Sequence, residues 1–188
     1  MRSAALLVLL VAPTAVADPE PESRTAIDFA AGAHLLANGG DDSGLHAGFG
    51  AAVRIHDLLP THRLDLELGG DRTRVHDDLA DFDRFDRFRF TVGTGFELDS
   101  GFDLCVDGGL EVLDATRTLH SSTGGFSTSF RTYAPVVSGS ASRFMNLGVV
   151  SLGAELVTRV SGHDAPAHEG LTFSYAGVDL ELRLVLRI

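Results

Sequence analysis

Eight histidines, at positions 34, 46, 56, 62, 76, 120, 163 and 168, are the residues of this chain best suited to bind a metal or move a proton. None lies in an HExxH frame or another tight ligand spacing, so a metal site would need residues from separate elements. His163-Asp164 and His168-Glu169 come nearest to a ligand cluster for a divalent ion, and a solvated loop is the preferred reading of that stretch. The segment from Asp77 to Arg87 offers carboxylates at 77, 78, 81, 83 and 86. Such oxygen donors suit calcium, but the spacing is not that of an EF-hand loop and the central glycine is missing. Phe82, Phe85 and Phe88, three residues apart, point instead to a short amphipathic helix, to a strand projecting past its neighbours, or to a disordered loop.

Two further candidates concern nucleophilic chemistry. His120-Ser121-Ser122 sets a base beside a hydroxyl, with Asp114 nearby in sequence. Adjacent residues rarely reach the geometry of a base and its nucleophile, and no oxyanion site is evident, so a Ser/Thr-rich loop is the preferred reading. Cys105 is the single cysteine and falls at an inward position of an alternating segment, where a small buried side chain is expected. No catalytic, cofactor-binding or metal-ligating residue is therefore assigned, and no enzyme is expected.

What the surrounding elements do is more legible. Met1-Arg2-Ser3, nine apolar residues from Ala4 to Ala12, and Ala15-Val16-Ala17 before Asp18 have the basic end, short apolar core and small-residue cleavage site of a secretory signal. Residues 1–17 are expected to be removed, residues 18–24 to form a flexible proline-containing leader, and residues 25–188 to form one domain. That exported part keeps 14 arginines, no lysine and 26 acidic residues, a formal charge of −12, which argues against nucleic acid as a partner. A lone cysteine leaves no intramolecular disulfide to hold the fold.

From residue 27 onward the dominant signal is alternation with period two. Phe88, Phe90, Val92, Thr94, Phe96 and Leu98 oppose Arg89, Thr91, Gly93, Gly95 and Glu97; Val178, Leu180, Leu182, Leu184, Leu186 and Ile188 oppose Asp179, Glu181, Arg183, Val185 and Arg187. Similar segments start near Ile27, Ala47, Arg63, Phe102 and Phe126, and the seventh of the eight runs from about Phe144 to Leu156 with its phase unresolved. A helix would scatter these residues round its circumference, whereas a strand separates them onto two faces. Most segments run to about nine to thirteen residues, longer than the usual five or six of soluble strands and suited to crossing a bilayer at a tilt.

The longer polar connections, residues 71–87, 114–125 and 161–170, are odd-numbered, and tighter ones fall between them, including residues 135–142. An up-and-down outer-membrane barrel has that asymmetry, with short turns on the side of the chain ends. No apolar run reaches the eighteen residues a spanning helix needs. The fold class expected is all-β, an eight-stranded antiparallel up-and-down transmembrane β-barrel. Its Phe, Leu and Val series would face lipid. Asp28, Asp65, Glu67, Glu97, Asp103, Asp107, Glu111, Glu155, Asp179 and Glu181 would share the lumen with Arg54, Arg63, Arg89, Arg131, Arg183 and Arg187 as a paired plug. Glycines at 32, 48, 50, 69, 93, 95 and 109 would make room for the long side chains.

Signal, eight segments and terminal strand together resemble the small outer-membrane β-barrel proteins, the OmpA-like transmembrane domain and the OmpX-like group, over residues 25–188. The resemblance implies residence in the outer membrane of a Gram-negative bacterium, with lipid and the barrel-assembly machinery as partners, and a non-enzymatic structural, adhesion or defence role. It also implies a monomer, with an unknown extracellular ligand as a further partner. The last strand departs from the group's pattern by ending in Ile188 rather than an aromatic residue. The competing expectation is a soluble periplasmic or secreted lipocalin-like barrel, with the two faces reversed around an apolar ligand.

Overall fold

In the computed structural model, residues 25–39, 44–58, 64–74, 82–121, 124–166 and 172–188 are described. The signal segment and the leader lie outside them. Eight strands form: β1 (Ile27–Gly39), β2 (Gly44–Ile55), β3 (Asp65–Arg74), β4 (Phe82–Glu97), β5 (Phe102–Ser121), β6 (Gly124–Asn146), β7 (Ser151–Pro166) and β8 (Thr172–Arg187). Each pairs antiparallel with its sequence neighbours, and β1 pairs with β8 to close the barrel. Closure extends to the chain end, where Ile27 and Ile188 exchange two backbone hydrogen bonds of 3.0 Å. A sheet closed in this way has no edge in its fully paired part, the condition for placing strands in hydrocarbon.

One rim carries both chain ends and the short connections. Between β4 and β5 the chain reverses over Asp99 to Gly101, with Gly101 at φ 77°. Between β6 and β7 it reverses over residues 147–150, with Gly148 at φ 97° and its N–H donating to Asn146 Oδ1 at 2.8 Å. Both glycines occupy the left-handed region that a side chain disfavours. At the far rim the strands extend well beyond the expected connections. β3 runs to Arg74 and β4 starts at Phe82, so the projecting strand is what forms around Phe85.

The second half of the chain corrects the expected segmentation. Residues 135–142 are not a connection; they lie inside β6, and residues 144–146 belong to β6 rather than to β7. Pro135 and the serines after it look like a turn in sequence. In the barrel Ser138, Ser140 and Ser142 face inward, and Ser138 Oγ donates to Asp107 at 3.4 Å. Pro135 stands one residue beyond the end of the β6–β7 ladder, where β6 is paired with β5 alone and a missing N–H is tolerated.

The faces fall as expected for a barrel in lipid. Phe49 is 76 % exposed and Leu184 68 %, whereas Asp65 and Glu181 are fully buried. This is the reverse of a lipocalin-like barrel, which would turn its apolar series inward. Arg131 is corrected: it faces outward, because β6 runs in the opposite phase to that expected. Glu97 is also exposed, at the end of β4. Arg63 lies outside the described residues.

Candidate functional site

The lumen is assembled from alternate residues of all eight strands, and it is filled. At its middle Arg54 on β2, Glu67 on β3, Glu155 on β7 and Arg183 on β8 close a ring. Arg54 donates to Glu155 at 2.6 Å and to Glu67 at 2.5 Å. Arg183 donates to both oxygens of Glu67 at 3.0 and 3.1 Å and to Glu155 at 3.2 Å. Parallel pairing of a guanidinium with a carboxylate is the stronger form of this interaction.

Toward the far rim, Arg159 and Glu181 pair at 2.6 Å. Arg87 bridges Asp71 at 2.8 Å and Asp179 at 2.5 Å, and Arg89 pairs with both Asp71 and Glu111. His163 meets Glu111 at 2.8 Å, and His34 meets Thr73 at 2.7 Å. Above this layer Leu36, Phe85, Leu113 and Ala115 form a small apolar cluster, with Phe130 packed against it. Toward the near rim, Arg187 donates to both oxygens of Asp28 at 2.8 and 2.9 Å, while its guanidinium lies 3.9 Å from the Phe144 ring centroid. His56, one residue past β2, meets Asp28 at 2.7 Å and Asp65 at 3.1 Å.

Inward glycines make this filling feasible. A Cβ at Gly48 would come within 2.5 Å of the His34 ring, and one at Gly50 within 2.9 Å of the Asp71 side chain. Asp71, Arg87 and Arg159 are luminal residues that the sequence reading missed. The first two sat at the ends of an expected loop, and the third lay past the expected end of the seventh segment at Leu156, whereas β7 runs on to Pro166. Extending the alternation of Leu66, Leu68 and Gly70 through Arg72 would have found Asp71.

The candidates for chemistry disperse. His163 is not in a loop but buried on β7 against Glu111. His168, Glu169, Asp77, Asp78 and Asp81 lie outside the described residues, among which no cluster of three or more His, Cys, Asp or Glu side chains is placed to hold a metal. The side chains of His120, Ser121 and Ser122 also lie outside the description. Asp114 faces outward and accepts two hydrogen bonds of 2.7 Å from Arg131, which hold its carboxyl below the usual carboxylate range. Cys105 is buried inward as expected, with Sγ 3.4 Å from Asp65 and 3.3 Å from Asp107.

The outer surface has its own order. Ladder registers place Ala31, Ala51, Gly70, Phe88, Val112 and Tyr133 in one outward row across β1 to β6. The next row toward the far rim runs Ala33, Phe49, Arg72, Asp86, Asp114 and Arg131. Apolar side chains thus give way to charge within one row, with Tyr133 at the boundary. Arg72 donates to Asp86 at 2.6 Å.

The closed eight-stranded barrel has counterparts of the same fold among solved bacterial proteins. Neisserial surface protein A superposes with a TM-score of 0.54 at 12 % identity, covering 87 % of this chain and 97 % of that one. The chain resembles the small outer-membrane barrels. Ail of Yersinia pestis, in its complex with the heparin analogue sucrose octasulfate, gives 0.55 at 13 % identity, covering 88 % of this chain and all of that one. A major outer membrane protein of Thermus thermophilus gives 0.55 at 12 % identity, with coverages of 86 % and 99 %. No family model and no curated protein matches the chain. At these identities the likeness establishes the barrel fold, and function must be argued from the residues.

Proposed function

We propose that this chain is a non-enzymatic protein of the outer membrane of a Gram-negative bacterium, a closed and plugged barrel with a structural or surface-interaction role. One observation carries the reading: large apolar side chains cover the outside while arginines and carboxylates pair within. In water such a barrel would expose what it should bury, since each Leu or Phe left exposed forgoes about 1.5–3 kcal/mol. In lipid both faces are matched.

On this reading residues 1–17 direct export and are cleaved after Ala17, and the assembly machinery receives a last strand with regular alternation up to Ile188. The ion-paired lumen supports anchoring rather than solute passage. The long β3–β4, β5–β6 and β7–β8 hairpins form the surface available to an extracellular partner. In the β5–β6 hairpin, residues 124–135 of β6 pair with β5 past the end of the β6–β7 ladder.

Cell fractionation followed by gel electrophoresis with and without heating tests this. Recovery in the outer membrane as a heat-modifiable band, with an amino terminus at Asp18, is expected. Recovery as a soluble periplasmic protein without detergent would overturn it.

A further inference from the structure

The barrel's outer wall carries a depression that none of the described residues fills. It has a volume of about 920 Å³ and lies over the β1–β4 surface, where Ala51 and Gly70 form a floor between walls of Phe29, Phe49 and Phe88. Along β2 it extends over the five residues from Phe49 to Val53, roughly 13 Å of strand. That length accommodates a large part of an acyl chain. Its far-rim end is polar, bounded by Arg72 and Asp86.

The charge there is unbalanced among the described residues. Arg72 and Arg84 share the one carboxylate of Asp86, at 2.6 and 3.0 Å. In the next outward row Arg74 stands directly opposite Arg84 across the β3–β4 ladder. Like charges placed face to face across a strand pair are destabilising unless an anion lies between them. The other nearby carboxylate, Asp114, is held by both nitrogens of its pair with Arg131. Among the described residues, Arg72 at the mouth of the apolar groove thus shares the single carboxylate of Asp86 with Arg84, two guanidinium groups against one acid, at the level where the girdle ends.

We propose that this groove binds a membrane lipid with a phosphate head group, its acyl chain over Ala51 and Gly70 and its phosphate on Arg72 and Arg84. The inference rests on the membrane reading above. Arginine suits the head group because its planar fork can offer two donors to one phosphate. A soluble anion would leave the apolar floor bare, and a second copy of the barrel would bring its own apolar girdle against Arg72 and Arg84.

The test uses the full chain, purified from envelopes in a neutral detergent, with native mass spectrometry after adding dioleoyl phosphatidate or dioleoylglycerol. Phosphatidate is expected to be retained at least five-fold more than dioleoylglycerol. R72Q/R84Q should reduce that preference to near unity, with R74Q a milder substitution on the same cluster. A51F, which fills the floor from the outside, should reduce retention of both lipids. R143Q, an outward arginine near the other rim, should leave binding unchanged. Heat-modifiable mobility verifies that each variant is folded. Equal retention of the two lipids by the parent, or unchanged binding by A51F, would overturn the proposal. A parent chain soluble without detergent would instead defeat the membrane reading, before any lipid is added.

Discussion

Arg183 on β8 spans the lumen to take both carboxylate oxygens of Glu67 on β3, at 3.0 and 3.1 Å, across a separation of 116 residues. Two strands, β1 and β2, stand between them in the sheet. The pair therefore ties separate parts of the wall across the lumen, and with Arg54 and Glu155 it forms a closed ring.

Breaking that ring from one side should be costly. Arg183→Met leaves the buried carboxylates of Glu67 and Glu155 short of a partner, and a loss of about 3–5 kcal/mol is expected. Combining it with Glu67→Leu should recover part of that loss, because the second charge is then removed as well. Urea unfolding in lipid vesicles measures both, and equal stability of parent and Arg183→Met would remove the ring from the stability argument.

The lipid-facing girdle makes a depth-dependent prediction. Leu182, 63 % exposed, faces outward near the middle of β8 between its partners Ala33 and Leu156. Leu182→Arg should destabilise the barrel by about 2–4 kcal/mol in a bilayer. The same change at Leu147, in a turn at the near rim, should cost roughly 0–1 kcal/mol. A similar cost at both sites would contradict the proposed placement of the membrane.

Phe85 closes the far side of the plug, 1 % exposed beside Leu36 and Leu113. Phe85→Ala should cost about 3–5 kcal/mol, the transfer loss plus the cavity left in a small cluster that cannot collapse freely. The unfolding midpoint is the readout, with Phe88→Ala on the outward face as the comparison.

His56 supplies a pH dependence. Burial disfavours its charged form, but hydrogen bonds to Asp28 and Asp65 outweigh this and raise its pKa above the ordinary 6.5. A pKa raised by folding contributes stability that is complete below 6.5 and is lost as pH rises through the folded value. Unfolding free energy should accordingly decline as pH rises from 6.5 through that folded value, and His56→Gln should flatten this part of the profile.

Much of the architecture was legible because a strand with two unlike solvents on its faces must alternate. β8 was read residue by residue, with Asp179, Glu181, Arg183, Val185 and Arg187 all inward. Legibility failed where both faces carry similar residues. In β6 the serines and Pro135 imitate a turn, while the true reversal at Gly148 sits among apolar residues and carries little polar signal. That error inverted the phase around Arg131 and hid Arg159. At the far rim, polar residues on both faces of β3 and β4 concealed strands that continue as a hairpin, and with them Asp71 and Arg87.

Alternation, strand length and charge by themselves determined that this chain forms eight membrane-length strands with one apolar and one polar face, because period-two patterning is a local property of the backbone. Only closure of the barrel decided which charges meet. Among the described residues Asp71, Arg87 and Arg159 join the expected inward charges and Arg131 leaves them, while Glu97 stays in the inward phase but is exposed at the end of β4. Register across eight ladders sets those neighbours, and a partner 116 residues away, such as Glu67 for Arg183, leaves no mark in local sequence.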